Sequence, residues 1–131
     1  MTVDLDWENL GFNYSKLPFR YISYYKDGKW DEGQLTEDAT LHISEASPAL
    51  HYGQEAFEGL KAYRTKDGSI QLFRPDENAK RLQRTADRLL MPQVPVDKFV
   101  DACKQVVRAN EEYVPPYLSL IHISEPTRPL Y

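Results

Sequence analysis

Apolar positions come in short alternating bursts along the first half of the chain and settle into steps of three and four along the second. Between Pro18 and Tyr25, Phe19, Tyr21, Ser23 and Tyr25 alternate with Arg20, Ile22 and Tyr24. Both sets carry aromatic or branched residues that suit a pleated surface, which predicts a strand. Lys26-Asp27-Gly28-Lys29 follows as a glycine-containing turn. Thr40 to Ile43 reads as a second short strand, and Ser44 to Pro48 as a loop. Lys61 to Arg64 and Ser69 to Phe73 flank Thr65-Lys66-Asp67-Gly68, and Asp-Gly between two such runs is the strongest short-range hairpin signal a sequence carries.

The period then changes. Pro75 and Asp76 open a helix in which Ala79, Leu82, Ala86 and Leu89 form an apolar stripe opposite Lys80, Gln83, Arg84 and Asp87, with an end expected near Met91-Pro92. A second helix begins about Pro95-Val96-Asp97 and aligns Val96, Phe99, Val100, Cys103, Val106 and Val107 until Tyr113-Val114-Pro115-Pro116 stops it. Burying that face is worth roughly 10 kcal/mol at about 2 kcal/mol per side chain, before entropy, so it is expected to be core. The fold class is α+β (α/β): antiparallel strands and hairpins flanked by two helices, with no internal repeat.

Composition narrows the functional classes. The chain has 131 residues, 41% of them hydrophobic, and a net charge of -4, as an ordinary globular domain would. Lysines and arginines are scattered among acids and form no stripe, which argues against a nucleic-acid partner. A single cysteine, Cys103, excludes an internal disulfide and fits a reducing cytosol. The acidic start MTVDLDWENL has no apolar segment, and no run approaches the roughly eighteen apolar residues of a membrane helix. A cytoplasmic, membrane-free protein is expected.

Three places could carry chemistry. Arg81 lies within the first turns of the helix opened by Arg74-Pro75, where a forked, permanently charged donor beside free backbone N–H groups suits a dianionic phosphate. The plain alternative is a surface ion pair with Asp76 or Glu77. Tyr52 and Phe57 stand five residues apart in HYGQEAFEG, where Gly53 and Gly59 allow a tight path around a short helical turn; ordinary core packing would explain them equally well. His51 has no carboxylate or nucleophile in a recognisable arrangement and is read as a structural hydrogen-bonding group, and Glu55 and Glu58 as solvated glutamates. The histidines do not have metal-ligand spacing, so no metal site is expected.

Taken together, HYGQEAFEGLKAY, LFRPDENAKRL and YVPPY resemble the N-terminal domain of branched-chain amino acid aminotransferases, pyridoxal-phosphate enzymes of fold type IV, from about Phe12 to Tyr117. The resemblance implies a small N-terminal domain over residues 1–117. It implies a cytosolic homodimer that transfers the amino group of leucine, isoleucine or valine to 2-oxoglutarate through pyridoxal 5′-phosphate. In such enzymes the arginine of FRPxxNxxR contacts the cofactor phosphate, and it falls on Arg81 when Phe73, Arg74, Pro75 and Asn78 are matched. The tyrosine and phenylalanine of HYxxxxFEG line the pocket for the substrate's aliphatic side chain and fall on Tyr52 and Phe57. Counting back from Trp30 places a further pocket phenylalanine on Phe12. Such a pocket discriminates by shape, at about 1 to 3 kcal/mol per methylene.

The resemblance also identifies what is missing. The family's lysine, which carries the cofactor as a Schiff base and shuttles the substrate proton, matches none of Lys16, Lys26, Lys29, Lys61, Lys66, Lys80, Lys98 and Lys104. The acid that partners the pyridine nitrogen is absent as well. After Tyr117, LSLIHISEPTR resembles a translated sequencing-library transposon adapter, so residues 118–131 are read as an artefactual tail and the natural protein as longer. The chain alone is expected to be inactive. Alternatives are another fold type IV enzyme (a D-amino acid aminotransferase or aminodeoxychorismate lyase), a non-enzymatic small-molecule binding fragment, or a misfolding-prone piece.

Overall fold

A computed structural model describes residues 16–116. Phe12 and the adapter-like tail lie outside the described residues. The first structured unit is an antiparallel ribbon in two parts. Strand β1 (Arg20–Ile22) pairs with β4 (Gln34–Thr36), and β2 (Tyr25–Lys26) pairs with β3 (Lys29–Trp30). Asp27 and Gly28, both at positive φ (53° and 82°), make the tight turn between β2 and β3, whose twist matches that of the flanking strands.

Continued from the Lys26–Lys29 pair, the register would set Ile22 opposite Gly33, yet Ile22 faces Gln34. The returning side therefore holds one extra residue, a β-bulge. Asp31 builds it: one carboxylate oxygen accepts hydrogen bonds from Ser23 Oγ (2.7 Å), the Tyr24 amide (3.1 Å) and the Gly33 amide (2.9 Å). The Ser23 hydroxyl contributes most to holding the Asp31 carboxyl below its usual pKa. Gly33 sits at φ 72°, and a Cβ there would collide with the Tyr21 ring. The expected strand from Pro18 to Tyr25 thus exists as two pieces.

The expected strand at Thr40–Ile43 does not form; those residues are irregular, with Leu41 and Ile43 exposed. The pairing partner of β1 is the polar segment Gln34–Thr36 instead. A short helix α1 (Pro48–Tyr52) follows, with Pro48 in its first turn, and ends on Gly53 at φ 63°. The helical turn expected between Tyr52 and Phe57 therefore lies before that interval.

The second hairpin forms as expected: β5 (Ala62–Arg64) pairs with β6 (Ile70–Leu72), and Gly68 takes φ 89° in the turn. Thr65 and Ser69 donate to Asp67, and these bonds, Thr65 foremost, lower its carboxyl pKa to about 2.

Helix α2 (Pro75–Arg88) starts at the expected proline, and α3 (Val96–Ala109) holds the expected stripe. A Schellman motif closes α2: the Leu90 amide donates to Asp87 O (3.3 Å) and the Met91 amide to Ala86 O (2.8 Å). Leu90 occupies the left-handed position, φ 56°, that glycine usually fills. α2 packs on α3, and α3 on β1. Ala79 and Ala86, two turns apart on one face of α2, are the buried apolar residues among those described.

The stripe on α3 is half-buried and not core as expected: α2 and β1 pack against α3, yet each of its apolar residues keeps partial exposure. Polar ties supplement this thin core. Buried Asn110 accepts from the Phe19 amide (3.1 Å) and donates to Phe19 O (2.9 Å), joining the end of α3 to the start of β1. Trp30 Nε1 donates to Gln93 O (2.8 Å), fastening the ribbon to the α2–α3 connection.

Candidate functional site

The segment after α1 has no regular structure, yet its path is fixed at both ends against α2. Gln54 Nε2 donates to Leu89 O (2.6 Å), and Asn78 Nδ2 donates to Gly59 O (2.8 Å). Leu89 and Asn78 are eleven positions apart, which is about 16 Å along a helix. Gln54 to Gly59 is five positions, about 16 Å only if the chain is extended. The segment is therefore drawn out along α2, running antiparallel to it.

That path delivers Glu58 to Arg81. Arg81 Nε donates to Glu58 Oε1 (2.7 Å) and Nη2 to Oε2 (2.6 Å), a side-on bidentate pair. Asn78 spends its second amide hydrogen on Glu58 Oε2 (3.0 Å). The Glu58 side chain is only 6% exposed, whereas that of Arg81 is 60% exposed. Arg81, then Asn78, holds the Glu58 carboxyl below its ordinary pKa against the opposing effect of burial, with Arg84 adding to the pull. The same bonds raise Arg81.

Two expectations change here. Glu58 is an enclosed, triply bonded carboxylate and not a solvated one. Arg81 does pair with an acid, but one supplied by the strap at residue 58 and not by its own helix: Arg74 reaches Glu77, and Lys80 reaches Asp76 and Glu77. Arg81 lies in the second turn, while the first turn carries Asp76 and Glu77, which repel a phosphate.

Tyr52 and Phe57 are 87% and 80% exposed, so ordinary core packing does not explain them within the described residues. Phe57 immediately precedes Glu58, and its ring lies over Gly59. An apolar face and the Arg81 guanidinium are thus separated by a single residue of the strap. The nearby groove between β6 and α3, about 450 Å³ and lined by Ile70, Leu72, Lys104 and Val107 among others, does not include Tyr52, Phe57 or Arg81.

His51 Nε2 meets the Glu45 carbonyl at 2.5 Å, the structural bond expected of it. Among the described residues no group of acids, histidines and cysteine could hold a metal, and no helix is long and apolar enough to cross a membrane.

The residues joined in the clasp, Glu58, Gly59, Asn78 and Arg81, belong to two separate motifs, FEG and FRPDENAKR. Their shared signal was the co-occurrence of the motifs; the contact itself was not visible in either one.

No protein-family model matches the chain. Known proteins do. It is 68% identical over 114 residues to a branched-chain-amino-acid aminotransferase of Haemophilus influenzae, a match covering 87% of this chain and 33% of that protein. It is 54% identical over 116 residues to the protein of the same name in Helicobacter pylori, covering 88% and 34%. A methionine aminotransferase of Arabidopsis thaliana is 46% identical over 115 residues, covering 87% and 32%.

All three relatives are named aminotransferases. Over the stretch matched, the chain is similar to branched-chain-amino-acid aminotransferases, and it spans about a third of the length of these relatives.

Proposed function

We propose that the chain is part of a pyridoxal-phosphate-dependent branched-chain amino acid aminotransferase of fold type IV, which moves the amino group of leucine, isoleucine or valine to 2-oxoglutarate in the cytoplasm as a homodimer. The observation that carries this reading is 68% identity over 114 residues to a protein of that name. Residues 1–117 make up part of its small domain, and residues 118–131 derive from adapter sequence. In support, the matches to these relatives run to 114 and 116 of the 131 residues.

The donor set fits a phosphate ester. A guanidinium has five N–H donors, of which Glu58 occupies two, leaving three on an exposed side chain for an anion. Arg81 would hold the phosphate of pyridoxal 5′-phosphate, which supplies the electron sink for amino transfer when bound. Phe12, Tyr52 and Phe57 would face the aliphatic side chain of the substrate. Exposure of the last two aromatics is what a pocket wall leaves when its opposite wall belongs to another part of the protein. The cofactor-carrying lysine and the acid for the pyridine nitrogen lie outside this chain, which is inactive alone.

The test is to sequence the source locus across the codon for Tyr117 and to assay both products with leucine and 2-oxoglutarate. A frame that continues to a suitable lysine, with turnover by the longer protein and none by the 131-residue chain, supports the reading. A locus that ends at Tyr131, or a longer product that transfers no amino group, overturns it.

A further inference from the structure

This inference rests on the phosphate reading of Arg81 and goes one residue deeper. We propose that Glu58 is the positioning residue of the phosphate site: its carboxylate fixes the Nε and Nη2 side of the Arg81 guanidinium so that the opposite edge stands ready for a dianionic phosphate ester.

Three features of the clasp carry it. The pair is bidentate, at 2.7 and 2.6 Å, so it sets the plane of the guanidinium as well as its location. The acid is the enclosed member and the arginine the exposed one, 6% against 60%, so the pair presents a cation outward. Glu58 is itself fixed, because Asn78 donates to both its carboxylate and the adjoining Gly59 carbonyl. A long side chain that is ordered before the ligand arrives loses less entropy on binding.

The opposite role would make Glu58 a stand-in for the phosphate, displaced on binding. Enclosure argues against that, since a departing carboxylate would leave the Asn78 amide that holds it, while the outer edge of Arg81 is open to a phosphate without any displacement.

The experiment measures binding of pyridoxamine 5′-phosphate to the full 131-residue chain by calorimetry, and follows the Arg81 Nε–H signal by nitrogen-edited NMR. Arg81→Ala should weaken binding about tenfold or more. Glu58→Gln should weaken it roughly three- to tenfold, the cost of freeing one rotamer-rich side chain, and should shift or broaden the Arg81 Nε–H signal while the backbone spectrum stays folded.

Equal or tighter binding by Glu58→Gln, or an unmoved Nε–H signal, overturns the proposal. Should that variant unfold, Asn78→Ala carries the test with the charge pair intact: weaker binding and a broadened signal support positioning, and unchanged binding overturns it. Binding unaffected by Arg81→Ala overturns the phosphate reading and this proposal with it, a result distinguishable because it never involves Glu58.

Discussion

Replacing Asn110 with alanine tests how far a thin apolar core depends on its polar ties. The side chain accepts from the Phe19 amide at 3.1 Å and donates to the Phe19 carbonyl at 2.9 Å, so one amide mimics a strand partner for one residue of backbone. Its third bond, to Val106 O, is duplicated by the Asn110 main-chain amide at 3.1 Å and is not counted. Two neutral bonds at about 1 kcal/mol each give about 2 kcal/mol. Full orphaning of both Phe19 groups would cost more, but Phe19 is only half-buried and water reaches part of it. For a chain of this size 2 kcal/mol lowers the melting midpoint by about 10 °C.

Denaturant unfolding gives the energy, and hydrogen exchange at the Phe19 amide gives the site. Asn110→Asp is the control: its carboxylate still accepts from the amide but faces the Phe19 carbonyl with charge. Asp should therefore protect the amide yet destabilise at least as much as Ala. A loss below about 0.5 kcal/mol for Asn110→Ala, with the Phe19 amide still protected, would refute the reasoning.

Three further outcomes are expected. The folded state lowers the Glu58 pKa below its ordinary 4.5, so the clasp's contribution to stability is complete above that value and disappears as pH falls through the lower folded value; urea midpoints from about pH 7 down to about pH 3 should show an acid loss that Glu58→Gln lacks, and identical profiles would contradict it. Leu90→Gly should stabilise the chain by about 0.5 to 1 kcal/mol by relieving the left-handed position that closes α2, and a lower midpoint would show that the exposed Leu90 side chain matters more than its backbone. Burial raises the Cys103 thiol pKa, so a thiol reagent should modify the native chain more slowly than the urea-unfolded one, and equal rates would count against that burial.

What the sequence revealed followed the range over which each signal acts. The Asp67-Gly68 hairpin and the stripes of α2 and α3 are local, and each appears where its residues predict it. Thr40–Ile43 has the right residue types for a strand but no neighbour to pair with, whereas Gln34–Thr36, polar at both ends, is paired because the ribbon's turn brings it to β1. The break at Ser23-Tyr24 depends on Asp31, seven or eight residues away. Of the candidate site, Arg81 was legible by its charge and motif. Glu58 was not, since its partner lies 23 residues along the chain and a glutamate in isolation is read as solvated. The stripe on α3 was legible as apolar, but its degree of burial depends on a covering layer that no local pattern describes.

The segment from Gln54 to Gly59 has the look of a connecting loop, and connecting loops usually tolerate insertions. This one should not. Its length is matched to the helix beneath it, and side chains along an extended chain alternate from one side to the other. One added or deleted residue would move the acid about 3.3 Å and turn it away from Arg81. The family resemblance in HYGQEAFEG is thus a constraint on spacing as much as on residue type: a strap cut to measure, in which length is part of the chemistry.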